Sequence, residues 1–242
     1  MNFIVKNSGN LNIIFLHGWG CDHTSFLFLQ QYLTKSTLHF ANLDGFGGQE
    51  PPTEPSIKGY AQRLKEYIIQ NNLKNVVLVG HSFGGRVAIE YASSNNCLGV
   101  VLVNSAGIKP RFSLKKQLKI CKYKVTKYFV NKGLISKQRL NKFGSPDYKN
   151  SNKMLQAVLV SCVNYNQKPL LKQINQPTLI VWGNKDNQTP LYMAKQLNKH
   201  IKNSTLFVLD NCGHFSFLQK PYQFYQYLNQ FICNLQKGEN YE

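Results

Sequence analysis

Three residues in this chain are of the types, and in the order, that could share one proton. The first is Ser82, in the stretch Gly80-His81-Ser82-Phe83-Gly84-Gly85. An apolar run ends just before it and a helical pattern begins just after it. A serine hydroxyl at its ordinary pKa is a weak nucleophile and needs a neighbouring base. The pattern fits the G-x-S-x-G elbow, in which a sharp strand-to-helix corner lifts the hydroxyl clear of the backbone; the plain reading is an ordinary turn. The acid should follow in sequence and the histidine should come last. LIVWGNKDNQTP supplies Asp186 just past an apolar run, where a simple turn aspartate is the alternative. LDNCGHFSFL supplies His214 in a glycine-containing loop before the last helix. His214 would take the Ser82 proton and pass it to the leaving group. Asp186 would orient the imidazole and stabilise its charged form. Asp210 is the competing acid, but it lies very near His214 in sequence.

A tetrahedral oxyanion needs two preorganised donors. One is the backbone N–H of Phe83, at the start of the elbow helix, where the helix dipole helps. The other is expected in FLHGWG (residues 15–20), where Gly18 and Gly20 allow close backbone approach and Trp19 N–H is the chosen donor. The Trp19 ring would then wall an acyl pocket. His17 reads as a structural hydrogen-bonding residue. His23, His39, His81 and His200 have no matched partners and read as surface or packing residues, and Arg86 as paired on its own helix. DGFGG (residues 44–48) reads as a flexible loop; no G-x-G-x-x-G or Walker pattern follows an early strand, so no cofactor is expected.

The elements that must position these groups alternate. Strands are predicted at 12–16, 37–43, 75–79, 98–104, 178–182 and 205–209. The clearest helix, IKGYAQRLKEYII, places Ile57, Tyr60, Ala61, Leu64, Tyr67 and Ile68 on one face, and a last helix opens at Pro221. Such alternation implies an α/β fold, with a mostly parallel sheet, helices on both faces and catalytic groups at the carboxyl ends of the strands. It breaks between Ile108 and Ile174. There one helix is predicted with an apolar stripe of Leu114, Leu118, Cys121, Val125, Tyr128 and Phe129, stopped by Gly133. Another is predicted with Met154, Leu155, Val158, Leu159 and Cys162 inward. The organisation expected is a core of 1–108 and 174–242 with a helical cap, or lid, inserted at 109–173.

Composition bounds the rest. The 242 residues are 43% hydrophobic and 12% aromatic, as in a globular chain. No run reaches the roughly 18 apolar residues of a membrane helix. MNFIVKNSGN has no apolar core or cleavage-type ending, so no signal peptide is expected and a cytoplasmic location is the default. The six cysteines form no CxxC pair or zinc spacing, so packed, reduced thiols and no metal are expected. Net charge is +18, and residues 109–168 hold fifteen Lys and Arg against one acid, Asp147. That block implies an acidic partner or surface, a solvated face, or a bias of composition.

Taken together, HGWG, GFGG, GHSFGG, WGNKD with Pro190, and Gly213-His214 resemble the α/β-hydrolase superfamily over nearly the whole chain. SAGIKP, FGSPDY and TPLYMAKQL are similar to a bacterial subgroup of serine hydrolases and esterases with a helical cap. The resemblance implies Ser82, Asp186 and His214 as the triad and Trp19 and Phe83 at the oxyanion hole. It also implies an eight-stranded, mostly parallel sheet with one antiparallel strand, of which MNFIVK would be an edge. Where the family usually reads D-x-P-G-x-G, this chain has NLDGFG, with Asn42 at the Asp position and Asp44 at the Pro position. A serine at the elbow argues against haloalkane dehalogenases and epoxide hydrolases, which use Asp there. The expected activity is hydrolysis of a small-molecule carboxylic ester through an acyl-enzyme. One alternative is an esterase for acyl groups on an acidic carrier protein, gripped by the basic cap as in the pimeloyl-carrier-protein methyl ester esterases. Another is a non-enzymatic ligand receptor or signalling partner. Nucleic acid is not expected, for no known binding module is present; anionic-membrane binding through the lysine face is a minor reading.

Overall fold

The computed structural model describes residues 1–111 and 114–238. The first half of the chain contributes β1 (Asn2–Lys6), β2 (Leu11–Leu16), a 3-10 segment (His23–Gln31), β3 (Ser36–Asn42), α1 (Ile57–Gln70), β4 (Val76–His81), α2 (Phe83–Ala92) and β5 (Gly99–Val103). Then come α3 (Leu114–Asn131), α4 (Pro146–Asn150) and α5 (Lys153–Asn164), with 3-10 segments at Lys137–Lys142 and Lys168–Gln173. The chain finishes with β6 (Thr178–Gly183), α6 (Tyr192–His200), β7 (Ser204–Leu209), α7 (Ser216–Gln219) and α8 (Pro221–Lys237).

The strands form one sheet in the order β1-β3-β2-β4-β5-β6-β7. β1 runs antiparallel to β3 and every other pairing is parallel. The predicted strands therefore stand, to within a residue or two at each end, and MNFIVK is the antiparallel edge. The described residues hold seven strands rather than the eight that the resemblance implies.

Side chains alternate across each strand, so a strand buried on both faces must be apolar throughout. Ile14, Leu16, Leu78, Val100, Leu102, Ile180 and Trp182 point to the face covered by α1, α2, α6 and α5. Ile13, Phe15, Val77, Val79, Val101, Val103, Leu179 and Val181 point to the other, against Phe26, Leu29, Phe217, Phe224, Leu228 and Phe231. α1 starts where the Ser56 hydroxyl accepts from Gly59 N at 3.0 Å. It buries Ile57, Tyr60, Ala61, Leu64 and Ile68 as the spacing predicts. Tyr67 is half-buried and hydrogen-bonds His39.

Between β5 and β6 the described chain is helical. α5 places Leu155, Val158 and Cys162 inward, but Met154 is exposed and Leu159 only half-buried. The stripe predicted on the first of these helices lies on α3 (Leu114–Asn131) and turns outward. Leu114, Leu118, Cys121, Val125, Tyr128 and Phe129 all face solvent. The reason is placement: α3 packs on the Lys137–Lys142 segment, and its half-buried side is the one carrying Tyr123, Thr126 and Val130. Its strongest apolar face is on the opposite side. Gly133 does end the helix, at φ +71°, with Leu134 N donating to Phe129 O at 3.0 Å. No cysteine is paired among the described residues, and no described helix is long and apolar enough to cross a membrane.

Candidate active site

The candidate site stands at the carboxyl ends of β4, β6 and β7. β4 ends at His81 and α2 begins at Phe83, leaving Ser82 alone on the corner at φ +49° and ψ −107°. That conformation is sparsely populated for a residue with a Cβ, and it persists only when its surroundings fix it. Here Ser82 N donates to Val103 O at 3.2 Å, and Ser82 O accepts from Ala106 N at 3.0 Å. The neighbouring glycines are needed for close approach. A Cβ on Gly84 would lie 2.0 Å from Leu16 O, and one on Gly80 would lie 2.6 Å from Gly84 O. Gly84→Ala should therefore force α2 off β2. We expect it to cost about 3 kcal/mol or more of stability, measured by urea unfolding; a loss under about 0.5 kcal/mol would contradict this packing.

His214 lies in the loop between β7 and α7 and is almost wholly buried. Its Nδ1 is 2.8 Å from Asp186 Oδ2. An ionised carboxylate only accepts, so the proton sits on Nδ1 and the neutral ring leaves Nε2 free to accept. Asp186 is fixed from several sides. Its Oδ2 also accepts from Asn104 Nδ2 and Thr189 Oγ1, both at 2.6 Å. Its Oδ1 accepts from Gln188 N at 2.8 Å and Thr189 N at 2.9 Å. Burial pushes the Asp186 carboxyl pKa up, but the hydrogen bonds from His214, Thr189 and Asn104 outweigh it and bring it down to about 2. Asp210, the competing acid, is exposed and accepts from Asn184 Nδ2 at 2.8 Å instead.

The structure thus brings Asp186 and His214 into direct contact. Ser82 is tied to them through its neighbour, because His81 Nε2 donates to His214 O at 2.9 Å and the two rings are 4.8 Å apart. Among the described residues no hydrogen bond joins the Ser82 hydroxyl to the imidazole. Such bonds are often long without substrate and tighten when it binds. The two residues expected to supply the oxyanion donors are neighbours through their side chains. The Trp19 and Phe83 rings meet edge to face at 5.4 Å, and neither backbone N–H has a hydrogen-bond partner among the described residues. Gly18, between His17 and Trp19, approaches so closely that its Cβ would lie 3.5 Å from Ser82 Cβ.

Several residues that matter here were not singled out by sequence. Asn104, at φ +42°, and Thr189 hold the carboxylate, and Ser216 Oγ donates to Asn104 Oδ1 at 2.5 Å. The available signal was position: Asn104 follows β5 directly, as Asp186 and His214 follow β6 and β7. His81 reads as a packing residue in sequence but positions the His214 loop. His17 is structural as expected, with Nδ1 donating to Gly18 O at 2.7 Å and Nε2 accepting from Leu43 N at 3.0 Å. Asn42 accepts from His23 N and lies near its Nδ1, both at 3.0 Å, linking the end of β3 and the rim loop that follows it (residues 43–50) to the 3-10 segment His23–Gln31. Arg86 is paired, but not on its own helix: it donates to Tyr165 O at 3.0 Å, tethering α2 to the end of α5.

Three histidines are buried and kept neutral. Burial lowers His17 and His39 to about 4, and burial with the neighbouring His214 lowers His81 to about 3. The unfolded chain takes up these protons near 6.5, so between pH 6.5 and about 4 it binds more protons than the folded chain. Stability should therefore fall with pH across that window, by up to about 1.4 kcal/mol per pH unit for each histidine. Denaturant unfolding at stepped pH checks this; a flat profile from pH 7 to 5 would refute it.

Comparisons with known proteins show the family and the fold. The family model described as "Alpha/beta hydrolase family" matches residues 13–226. The AB hydrolase superfamily protein YisY of Bacillus subtilis is 30% identical over 90% of this chain and 90% of its own length. Monoacylglycerol lipase ABHD6 of Bos taurus is 24% identical over 95% of this chain and 77% of its own. Among solved structures, an esterase from Exiguobacterium antarcticum superposes with a TM-score of 0.74 at 22% identity, covering 95% of this chain and 94% of that one. With its mostly parallel sheet and a family match over residues 13–226, the chain belongs to the alpha/beta hydrolase family.

Proposed function

We propose that this protein is a serine carboxylesterase, with Ser82 as nucleophile, His214 as general base and acid, and Asp186 as the group that orients the imidazole. The observation that carries the reading is the 2.8 Å bond between His214 Nδ1 and Asp186 Oδ2, standing behind a serine at φ +49°. The name monoacylglycerol lipase, borne by a relative matched over 95% of this chain and 77% of its own length, supports an ester substrate. In this mechanism His214 Nε2 accepts the hydroxyl proton as Ser82 Oγ attacks the ester carbonyl. The oxyanion is received by the N–H groups of Trp19 and Phe83. The imidazolium then protonates the leaving alcohol, and water, deprotonated by the same nitrogen, releases the acid from the acyl-enzyme.

The acyl chain would lie against apolar groups around the corner. Trp19 meets Phe46 at 4.9 Å, Phe46 meets Phe83 at 6.1 Å, and Leu155 of α5 closes on Gly45 of the rim loop. Contact between α5 and the rim is what a cap over the site would provide. A concavity of about 290 Å³ elsewhere is lined by Lys109, Arg111, Lys168 and Tyr192, and none of the candidate catalytic residues borders it. The test is a p-nitrophenyl ester series of increasing acyl length with wild type and Ser82→Ala. Multiple turnover that depends on Ser82 is expected. Turnover that survives Ser82→Ala, or none on any ester, would overturn the reading.

A further inference from the structure

Helix α3 shows solvent a face that proteins normally bury. Leu114 is 72% exposed, Leu118 71%, Val125 50%, Tyr128 58% and Phe129 41%, and all lie on one stripe at helical spacing. Leu134, just past the helix, continues the patch at 67%. The Lys137–Lys142 segment and the residue after it take the other side of α3, where the Tyr123 ring meets Phe143 at 5.5 Å. Lys122 and Lys124 flank the stripe on its two sides, and Lys119 and Lys127 lie further round the helix; all four are exposed. Lys115 and Lys116 belong to the same helix, and no acid occurs between Lys109 and Asp147.

An apolar stripe this contiguous marks an interaction surface. The charge around it selects the occupant. A second copy of the chain would bring another lysine-rich face against this one. Nucleic acid would satisfy the lysines but leave the leucines and aromatics in water. A surface of anionic phospholipid satisfies both, because apolar side chains enter the headgroup–acyl boundary while lysines meet phosphates. We infer that α3 docks the protein onto anionic membrane surfaces, with Leu114, Leu118, Val125, Tyr128 and Phe129 inserted. The surface is argued from α3 alone and stands whether or not Ser82 turns over esters.

The test is co-sedimentation of wild type and Ser82→Ala with phosphatidylcholine vesicles, with and without phosphatidylglycerol. Both proteins should bind the phosphatidylglycerol vesicles equally. Binding should weaken about tenfold or more when salt rises from about 0.05 to about 0.5 M, as the Debye length shrinks severalfold. Leu118→Asp with Val125→Asp should weaken it at least about tenfold at low salt. Both positions are solvent-exposed, and circular dichroism checks that the variant keeps its helix content. The inference is overturned by no binding at low salt, by equal binding to phosphatidylcholine alone, or by undiminished binding of a folded double variant. Tighter binding to duplex DNA or to an acidic acyl carrier protein than to the vesicles would overturn it as well.

Discussion

Ser82→Ala is expected to lower kcat on a soluble p-nitrophenyl ester by about 10⁴- to 10⁶-fold, with KM little changed. The nucleophile acts only in the transition state, whereas the groups that hold the ester are untouched. The variant should keep its fold, because alanine removes one oxygen at a half-buried corner fixed by backbone bonds to Val103 and Ala106. A residual rate above water should remain, since the N–H groups of Trp19 and Phe83 would still receive an oxyanion. Ser82→Gly should be equally inactive but more stable by about 1 kcal/mol, because glycine adopts φ +49° without the Cβ penalty. A receptor that only borrows this fold would show no rapid turnover for these substitutions to abolish.

The second large effect is expected from Asp186→Asn. Five donors face this carboxylate: His214 Nδ1, Asn104 Nδ2, Thr189 Oγ1 and the N–H groups of Gln188 and Thr189. A carboxylate accepts on both oxygens, but an amide must turn an NH₂ toward some of these donors. If the NH₂ faces His214, the imidazole must move its proton to Nε2, the nitrogen that should receive the Ser82 proton. Loss of about 10⁴ in kcat follows from the wrong tautomer. Stability should drop by about 1–3 kcal/mol through unpaired buried donors, read as a lower urea midpoint. Thr189→Val keeps the shape but removes one donor, so it should raise the Asp186 pKa and cost far less activity. Equal losses from the two variants would mean that Asp186 acts through packing alone.

The sheet was legible because its strands are buried on both faces: runs such as Val76–Val79 and Val100–Val103 leave little choice of environment. The corner was legible because its glycines are demanded by backbone contacts as short as that between Gly84 and Leu16 O. The Asp186–His214 contact could be expected from order and post-strand position. The network behind it could not, since Asn104 and Ser216 are 112 residues apart and ordinary in their local sequence. The side on which α3 is covered was not legible for a related reason. Its periodicity correctly gave the helix and the stripe, but amphipathicity does not say which medium covers the apolar face. Here Tyr123, Thr126 and Val130 are on the half-buried side, and the stronger face is left outward. Arg86 was legible as a paired residue, but its partner lies on a segment 79 positions away.

The most direct test of the central claim is intact-mass analysis after incubation with a fluorophosphonate, followed by peptide mapping. This reagent traps a serine whose proton a neighbouring base removes, without requiring the natural ester. One adduct per chain is expected, on the peptide carrying Ser82, absent in Ser82→Ala and formed far more slowly in His214→Ala. Adduct formation at unchanged rate in folded His214→Ala, or ester turnover in a chain that takes up no label at Ser82, would contradict the account.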